Sequence, residues 1–211
     1  MKKSILALCA LTLTAGLVAC GGGTSTYTIG GTVAGLQYPG LVLTNNGADE
    51  LRVEPLGLDT AGAVKNVTYQ FPKQLDYGDQ YNVAIKTPPQ HQTCQAISGS
   101  ADTAGRLSVI EAVISCVLVS NTVGGKISGL AADGLVLNNG SVSTGKIVKD
   151  ATTGAYPTAF TFSTPVTYGQ TYGVTVLEQP AGQTCTVKNG AAEMKDDPVT
   201  TVEVTCVNNP A

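Results

Sequence analysis

Apolar and polar residues alternate with a period of two in three segments of the chain. In residues 81–86, 172–177 and 201–206, every second position is tyrosine, valine, isoleucine or cysteine. Because successive side chains of a β-strand point to opposite faces, this alternation is typical of strands with one buried face. The dipeptides Asn46-Gly47 and Asn139-Gly140 predict tight turns, since both residue types tolerate a positive φ. No segment after the first twenty residues keeps a helical period, so the pattern predicts an all-β chain.

The strand pattern is part of an internal repeat. Residues 30–36, 40–47, 77–83 and 92–94 recur, with small changes, as residues 124–130, 134–140, 168–174 and 183–185. Each copy spans about 90 residues, which is the size of a small sandwich domain. We therefore expect two tandem antiparallel β-sandwich domains, residues 27–118 and 123–207, joined by a short linker.

The clearest motifs of the repeat are Phe160-Thr161-Phe162 and residues 168–176 of the second copy. They resemble the transthyretin-like or carboxypeptidase-regulatory-like sandwich repeats of bacterial surface proteins, and immunoglobulin-like sandwiches fit nearly as well. The first copy departs slightly from the motif, with Tyr69-Gln70-Phe71 in place of the phenylalanine pair. The resemblance implies a spacer, a stalk or a binding module.

The first nineteen residues have the features of an export signal. Lys2 and Lys3 precede an apolar stretch, residues 5–18, which is shorter than the roughly 20 residues that a membrane-spanning helix needs. Leu17-Val18-Ala19-Cys20 follows and resembles the lipobox of bacterial lipoproteins. The resemblance implies removal of residues 1–19, acylation of Cys20, and a membrane as partner through that lipid. An ordinary secretory signal followed by a chance cysteine is the alternative.

The residues after Cys20 bear on location. Gly21 stands where an aspartate would, in enterobacterial lipoproteins, suggest retention in the inner membrane, so the resemblance implies the outer membrane. Residues 20–26 include three consecutive glycines and are expected to form a flexible tether. We therefore expect a protein of the cell envelope, held at the periplasmic or the surface face of that membrane.

Charge and composition narrow the range of partners. Removal of the signal takes away two of the 12 basic residues and none of the 15 acidic ones, which leaves a net charge of about −5. A mildly acidic chain without a cluster of Lys or Arg argues against nucleic acid as a partner. The glycines at 21–23 precede neither a lysine nor a helix, so they do not form a phosphate-binding loop, and we expect no cofactor.

Four cysteines lie within the repeat: Cys94, Cys116, Cys185 and Cys206. Four cysteines allow three pairings, but the two copies carry theirs at matching positions. Two copies of one fold should form the same bond, which predicts Cys94–Cys116 and Cys185–Cys206, and export to an oxidising compartment favours disulfides. A metal site is the alternative, and it is disfavoured because there is no close cysteine pair and only one histidine.

Four tyrosines recur at matching positions of the two copies. Tyr81 and Tyr172 fall on the apolar faces of predicted strands, so we expect them in the cores. Tyr77 and Tyr168 each precede a turn glycine, and we expect them to pack, with exposure as the alternative.

Candidate catalytic residues are few. His91, the single histidine, lies in a proline-containing loop and is matched by Gly182 in the second copy, so we expect a solvated loop side chain. We predict no catalytic residue, no metal site and no enzyme activity.

The leading hypothesis is a non-catalytic envelope lipoprotein that binds, spaces or scaffolds, with an envelope protein or a glycan as its partner. A carbohydrate- or peptidoglycan-binding module and, with less support, a hydrolase are the alternatives.

The lipid anchor makes a direct prediction about mass. The purified protein should have the mass of residues 20–211 plus diacylglycerol and, by resemblance, a further acyl chain, because two or more chains give stable anchoring at about 0.8 kcal/mol per buried CH2. Intact-mass and N-terminal peptide mass spectrometry measure this. An unmodified Cys20 thiol, or a mature start at another residue, would contradict the lipoprotein assignment.

Overall fold

The computed structural model describes residues 25–107 and 109–210. The predicted signal, Cys20 and the tether up to residue 24 lie outside the described residues, so the acylation of Cys20 stays a prediction. The described chain is all-β, with eighteen strands. Within it, no helix has the length and apolar character needed to cross a membrane.

The strands, numbered in chain order, are β1 (Thr26–Ala34), β2 (Leu41–Asn45), β3 (Asp49–Val53), β4 (Val67–Asp76), β5 (Gln80–Thr87), β6 (Gln92–Ser98), β7 (Ala101–Thr103), β8 (Ile110–Leu118), β9 (Ser120–Asn121), β10 (Val123–Ser128), β11 (Val136–Asn139), β12 (Val142–Ser143), β13 (Ala159–Thr161), β14 (Val166–Thr167), β15 (Thr171–Glu178), β16 (Gln183–Lys188), β17 (Ala191–Glu193) and β18 (Val199–Asn208).

Two units with the same strand order make up the described chain. Strands β1 to β8 form the first unit, with one sheet in the order β4-β1-β8-β6 and the other in the order β3-β2-β5-β7. The sheets of the second unit have the orders β13-β10-β18-β16 and β12-β11-β15-β17, which correspond strand by strand. The predicted fold class, two tandem β-sandwich domains, is confirmed.

Each unit has its own apolar core between its two sheets. In the first unit, Ile29 of β1 and Leu43 of β2, from opposite sheets, belong to one buried cluster. In the second unit, Val204 of β18 and Leu137 of β11 have the same relation. The alternating residues of the sequence supply these cores because one face of each strand points inward.

One strand pair in each unit is parallel, which the sequence pattern did not predict. β1 and β8 run in the same direction, with Ile29 opposite Ile110 and Ala34 opposite Ser115. β10 and β18 pair in the same way. Alternation with a period of two reports which face is buried and carries no information on the direction of the neighbouring strand. As a result, the chain enters this sheet at one end and leaves it at the other.

Glycines permit the close approach of the parallel strands. A Cβ atom at Gly31 would lie within 3.0 Å of the carbonyl oxygen of Ala112, closer than real Cβ atoms come to such neighbours. The counterpart Gly125 meets the backbone of Val202 in the same way. At the second glycine of the pair, the last strand thus leaves no room for a side chain in either copy.

Both predicted disulfides are present. Cys94–Cys116 joins β6 to β8, and Cys185–Cys206 joins β16 to β18. In each antiparallel pair the two cysteines lie directly opposite each other. Bonds between cysteines 22 and 21 residues apart should each stabilise the fold by roughly 3 kcal/mol, mainly by restricting the unfolded chain. Each bond also ties the strand by which the chain leaves its unit to a neighbouring strand.

The close approach at Gly31 can be tested by adding one methyl group. Gly31→Ala should lower the free energy of unfolding by about 1–3 kcal/mol, because the added Cβ must push β1 and β8 apart. Gly173→Ala is the matched control, since a Cβ there meets nothing within 4 Å, and its effect should stay within about 0.5 kcal/mol. Urea unfolding followed by circular dichroism measures both, and equal losses would contradict the steric account.

Candidate functional site

His91 lies where the two units meet. Its Nδ1 atom is 2.9 Å and 2.8 Å from the two carboxylate oxygens of Asp196, which belongs to the second unit. Its ring stacks on the ring of Tyr168, with centroids 4.0 Å apart and 11° between the ring planes. Only 26% of the His91 side chain is exposed, so the prediction of a solvated loop histidine is wrong. The loop is covered because it lies at the end of the first unit that faces the second.

A third ring joins this contact. Tyr38 lies edge-on to His91, with centroids 4.9 Å apart, and edge-on to Tyr168 at 5.8 Å. Stacked and edge-to-face arrangements are the preferred geometries of aromatic pairs. The Nζ atom of Lys195 is 5.9 Å from the centroid of the Tyr168 ring, at the limit of a cation–π interaction. We call Tyr38, His91, Tyr168, Lys195 and Asp196 the junction cluster.

The ammonium group of Lys195 has a carboxylate partner on its own unit. Its Nζ atom donates a hydrogen bond of 2.6 Å to Oε1 of Glu193. This bond raises the pKa of Lys195, nearby negative charges act in the same direction, and desolvation opposes them. Lys195 therefore stays cationic beside the Tyr168 ring.

The linker is hydrogen-bonded to both units. The backbone N–H of Val119 donates to the carbonyl oxygen of His91 at 2.9 Å, and the N–H of Tyr168 donates to the carbonyl oxygen of Val119 at 2.8 Å. The linker strand β9 also pairs with β14 of the second unit. One linker residue thus bonds to both residues whose rings stack across the junction.

A buried glutamine positions the first unit's share of the cluster. Gln92 is 3% exposed, and its Oε1 accepts hydrogen bonds from two successive backbone N–H groups, the second being that of Tyr38 at 3.0 Å. Its Nε2 donates to the carbonyl oxygen of Gly35 at 2.7 Å. Gln183 makes the same kind of bonds in the second unit. In the first unit this arrangement holds the loop of Tyr38 beside His91.

The four recurring tyrosines have three different environments. Tyr81 and Tyr172 are 4% and 5% exposed, and they lie in the cores as predicted. Tyr168 packs, as predicted, although against the other unit rather than within its own. Tyr77 is 73% exposed, so the expectation that it packs is wrong. Among the aromatic rings of the described residues, its one neighbour is Tyr27, with centroids 6.4 Å apart and the planes tilted by 49°.

The two copies differ where the junction forms. Gly182 takes the place of His91 in the second unit, and Ala132 takes the place of Tyr38. The sequence did contain this signal, since both side chains are present in one copy and missing from the other. The difference between His91 and Gly182 is plain in the sequence, but it does not show that the histidine faces the other unit.

The interactions of the junction cluster are those of an interface. Among the described residues, the hydrogen bonds of the His91 ring go to Asp196 alone. Acid–base or nucleophilic catalysis through a histidine requires a reacting group within hydrogen-bond reach. The described residues also contain no group of three or more side chains that could hold a metal ion. The cluster thus joins the units by ring stacking and by the hydrogen bond between His91 and Asp196.

Two shallow surface cavities lie at equivalent places in the two units. Their volumes are about 490 Å³ beside Tyr81 and about 450 Å³ beside Tyr172. Asn46 contributes to the lining of the first, and Asn139 to that of the second. Because both tyrosine rings point into the cores, neither cavity offers an aromatic surface on which a sugar ring could stack.

Comparisons with known proteins add little to this picture. No family model matches the chain, and a search of curated proteins found no match. Among solved structures, the chain is similar to the major pilin protein T-13 of Streptococcus pyogenes serotype GAS131465, with 14% identity over 88% of this chain and 97% of the pilin, at a TM-score of 0.24. The major pilin protein T3.2 of serotype GAS13637 is similar at 13% identity over 87% and 97%, with a TM-score of 0.22. At such TM-scores the likeness carries no argument about function.

The role assigned to Gln92 can be tested on its own strand. Gln92→Met should lower the free energy of unfolding by roughly 1–3 kcal/mol, because buried backbone groups lose their partner. Gln95→Met is the matched control, since Gln95 is an exposed glutamine on the same strand. Urea unfolding measures the difference, and the NMR signals of Tyr38 and His91 should shift in the first variant only. Two variants of equal stability would contradict the positioning role.

Proposed function

We propose that this protein is a non-catalytic lipoprotein of the bacterial cell envelope, whose two sandwich units form a stiff spacer between a lipid anchor and a distal binding surface. The junction cluster is the observation that carries this proposal. A spacer holds a distance only if its joints resist bending. Here the joint combines stacked rings, the hydrogen bond between His91 and Asp196, and backbone hydrogen bonds on both sides of Val119.

The location of the protein is part of the same proposal. The lipobox-like segment that ends at Cys20 supports anchoring by lipid. The two disulfides of the described chain support an oxidising compartment, because such bonds persist outside the cytosol. Gly21, where an aspartate would suggest inner-membrane retention in enterobacterial lipoproteins, supports attachment to the outer membrane.

The order of the chain supports a series arrangement. The tether leads into β1 at one end of the first unit, and the linker leaves from β8 at the other end. The second unit repeats this path, so its far end is the part of the described chain most distant from the anchor along the fold. We infer that an envelope protein or a glycan is bound there.

A dedicated carbohydrate-binding module has less support. Sugar-binding surfaces on sandwiches need exposed aromatic rings along one face. Of the aromatic side chains in the described chain, only Tyr77 is largely exposed, and it lies at the tether end rather than on a sheet face.

Stiffness of the joint can be measured by NMR relaxation on a soluble form that begins after Cys20. The two units should share one rotational correlation time, because the junction cluster makes them tumble as one body. Tyr168→Ala should remove the stacking partner of His91 and shorten the correlation time of each unit. Tyr77→Ala is the matched control, since it changes the equivalent tyrosine outside the junction.

Two results would contradict the proposal that the protein is a stiff spacer. One is independent tumbling of the units in the unmodified protein. The other is a Tyr168→Ala variant that tumbles like the Tyr77→Ala control.

A further inference from the structure

Three exposed apolar side chains lie in the segments at the tether end of the first unit. Tyr77, Leu107 and Val109 are 73%, 58% and 69% exposed. They come from two loops, and the ring of Tyr77 lies 6.4 Å from that of Tyr27 at the start of β1. We call Tyr77, Leu107 and Val109 the tether-end patch.

Backbone hydrogen bonds hold the two loops together. The N–H of Gly78 donates to the carbonyl oxygen of Ala104 at 3.0 Å. The N–H of Ala104 donates to the carbonyl oxygen of Asp79 at 2.7 Å. The ring of Tyr77 lies over Gly105, where an added Cβ would overlap it. The fold therefore fixes the position of Tyr77. Its ring occupies the space that a side chain at position 105 would fill.

The equivalent end of the second unit is covered. There the N–H of Gly169 donates to the carbonyl oxygen of Met194 at 3.0 Å, as Gly78 does to Ala104, and Tyr168 packs on the first unit. The same framework thus has a half-buried tyrosine in one copy and an exposed tyrosine in the other.

A second copy of the chain is a poor occupant of the open end. Its far end carries Gly182 and Ala132 where the first unit has His91 and Tyr38. Gly105 and Arg106 of the first unit stand at the positions of Lys195 and Asp196 of the second. The carboxylate that pairs with a histidine is therefore replaced by a cation. The contacts that join the two units cannot form again between molecules.

We propose that the tether-end patch lies in the headgroup region of the bilayer that holds the lipid of Cys20, an inference that depends on the proposed anchor. Thr26 is the sixth residue after Cys20, and a fully extended chain of that length spans only about 20 Å. The lipid therefore keeps the start of β1 within that distance of the bilayer, and the ring of Tyr77 lies beside Tyr27 at that start. Tyrosine favours this region because its ring is apolar and its hydroxyl polar.

Charges at this end indicate the kind of lipid. Arg106, whose side chain is 72% exposed, donates a hydrogen bond of 3.0 Å to the carboxylate of Asp102, while Asp76 and Asp79 lie in the Tyr77 turn. A mixture of both signs disfavours attraction to strongly anionic lipid and suits a zwitterionic headgroup. With the lipid and the patch as two points of attachment, the spacer has a fixed tilt relative to the membrane.

The chain contains no tryptophan, so a single Tyr77→Trp substitution provides a unique fluorescent reporter. The lipidated variant is reconstituted into phosphatidylcholine vesicles that carry bromine on the upper part of their acyl chains. Its emission should fall by roughly half, because the ring sits at the interface. Leu177→Trp is the matched control, since Leu177 is 58% exposed on the second unit, and its emission should not change.

The outcomes separate the patch from the anchor. A Tyr77→Trp protein whose mass shows acylation but whose indole emission is not quenched overturns this inference and leaves the anchor standing. A protein without acyl mass overturns both. Dimerisation of the acylated protein through Tyr77, seen as loss of the dimer in Tyr77→Ser by sedimentation, would also overturn it. Val109→Trp serves as a second reporter, and its emission should be quenched as that of Tyr77→Trp is.

Discussion

The parallel pairing of the first and last strands is the constraint on which the rest of the architecture depends. Because β1 and β8 run side by side in one direction, the chain enters the first unit at one end and leaves at the opposite end. An antiparallel pair would return the chain to the end where it entered, and the second unit would then lie beside the tether. Gly31 makes this pairing possible, since any side chain there would meet the backbone of Ala112.

The junction follows from this series order. The loops at the exit end of the first unit meet the turn between β14 and β15 of the second, and these segments carry His91 and Tyr168. Val119 then bonds to both residues through its own backbone. A linker of this kind is part of the folded structure. Of the five side chains of the junction cluster, Tyr168 alone has a residue of the same type at the matching position of the other copy, Tyr77.

The sequence predicted those features that belong to a single strand or that both copies of the repeat have in common. Alternation in residues 81–86 predicted buried positions because burial on one face is a property of the strand itself. The pairing of Cys94 with Cys116 followed from two copies that share one fold. Strand direction did not follow, because it depends on a partner far along the chain. His91 was misinterpreted because the junction uses residues that differ between copies, whereas a repeat reports what they have in common.

The route of the chain also determines how the protein would respond to mechanical force. A pull between the membrane and a partner on the second unit would act along β1 and β8 in opposite directions. The backbone hydrogen bonds between these strands would then be loaded together in shear, instead of breaking one after another as in a peeled hairpin. The Cys94–Cys116 bond links β8 covalently to β6, so the exit strand cannot slide out alone. Resistance to such a pull is set by the rate of forced unfolding rather than by equilibrium stability, and this geometry suits a chain that must stay folded under tension.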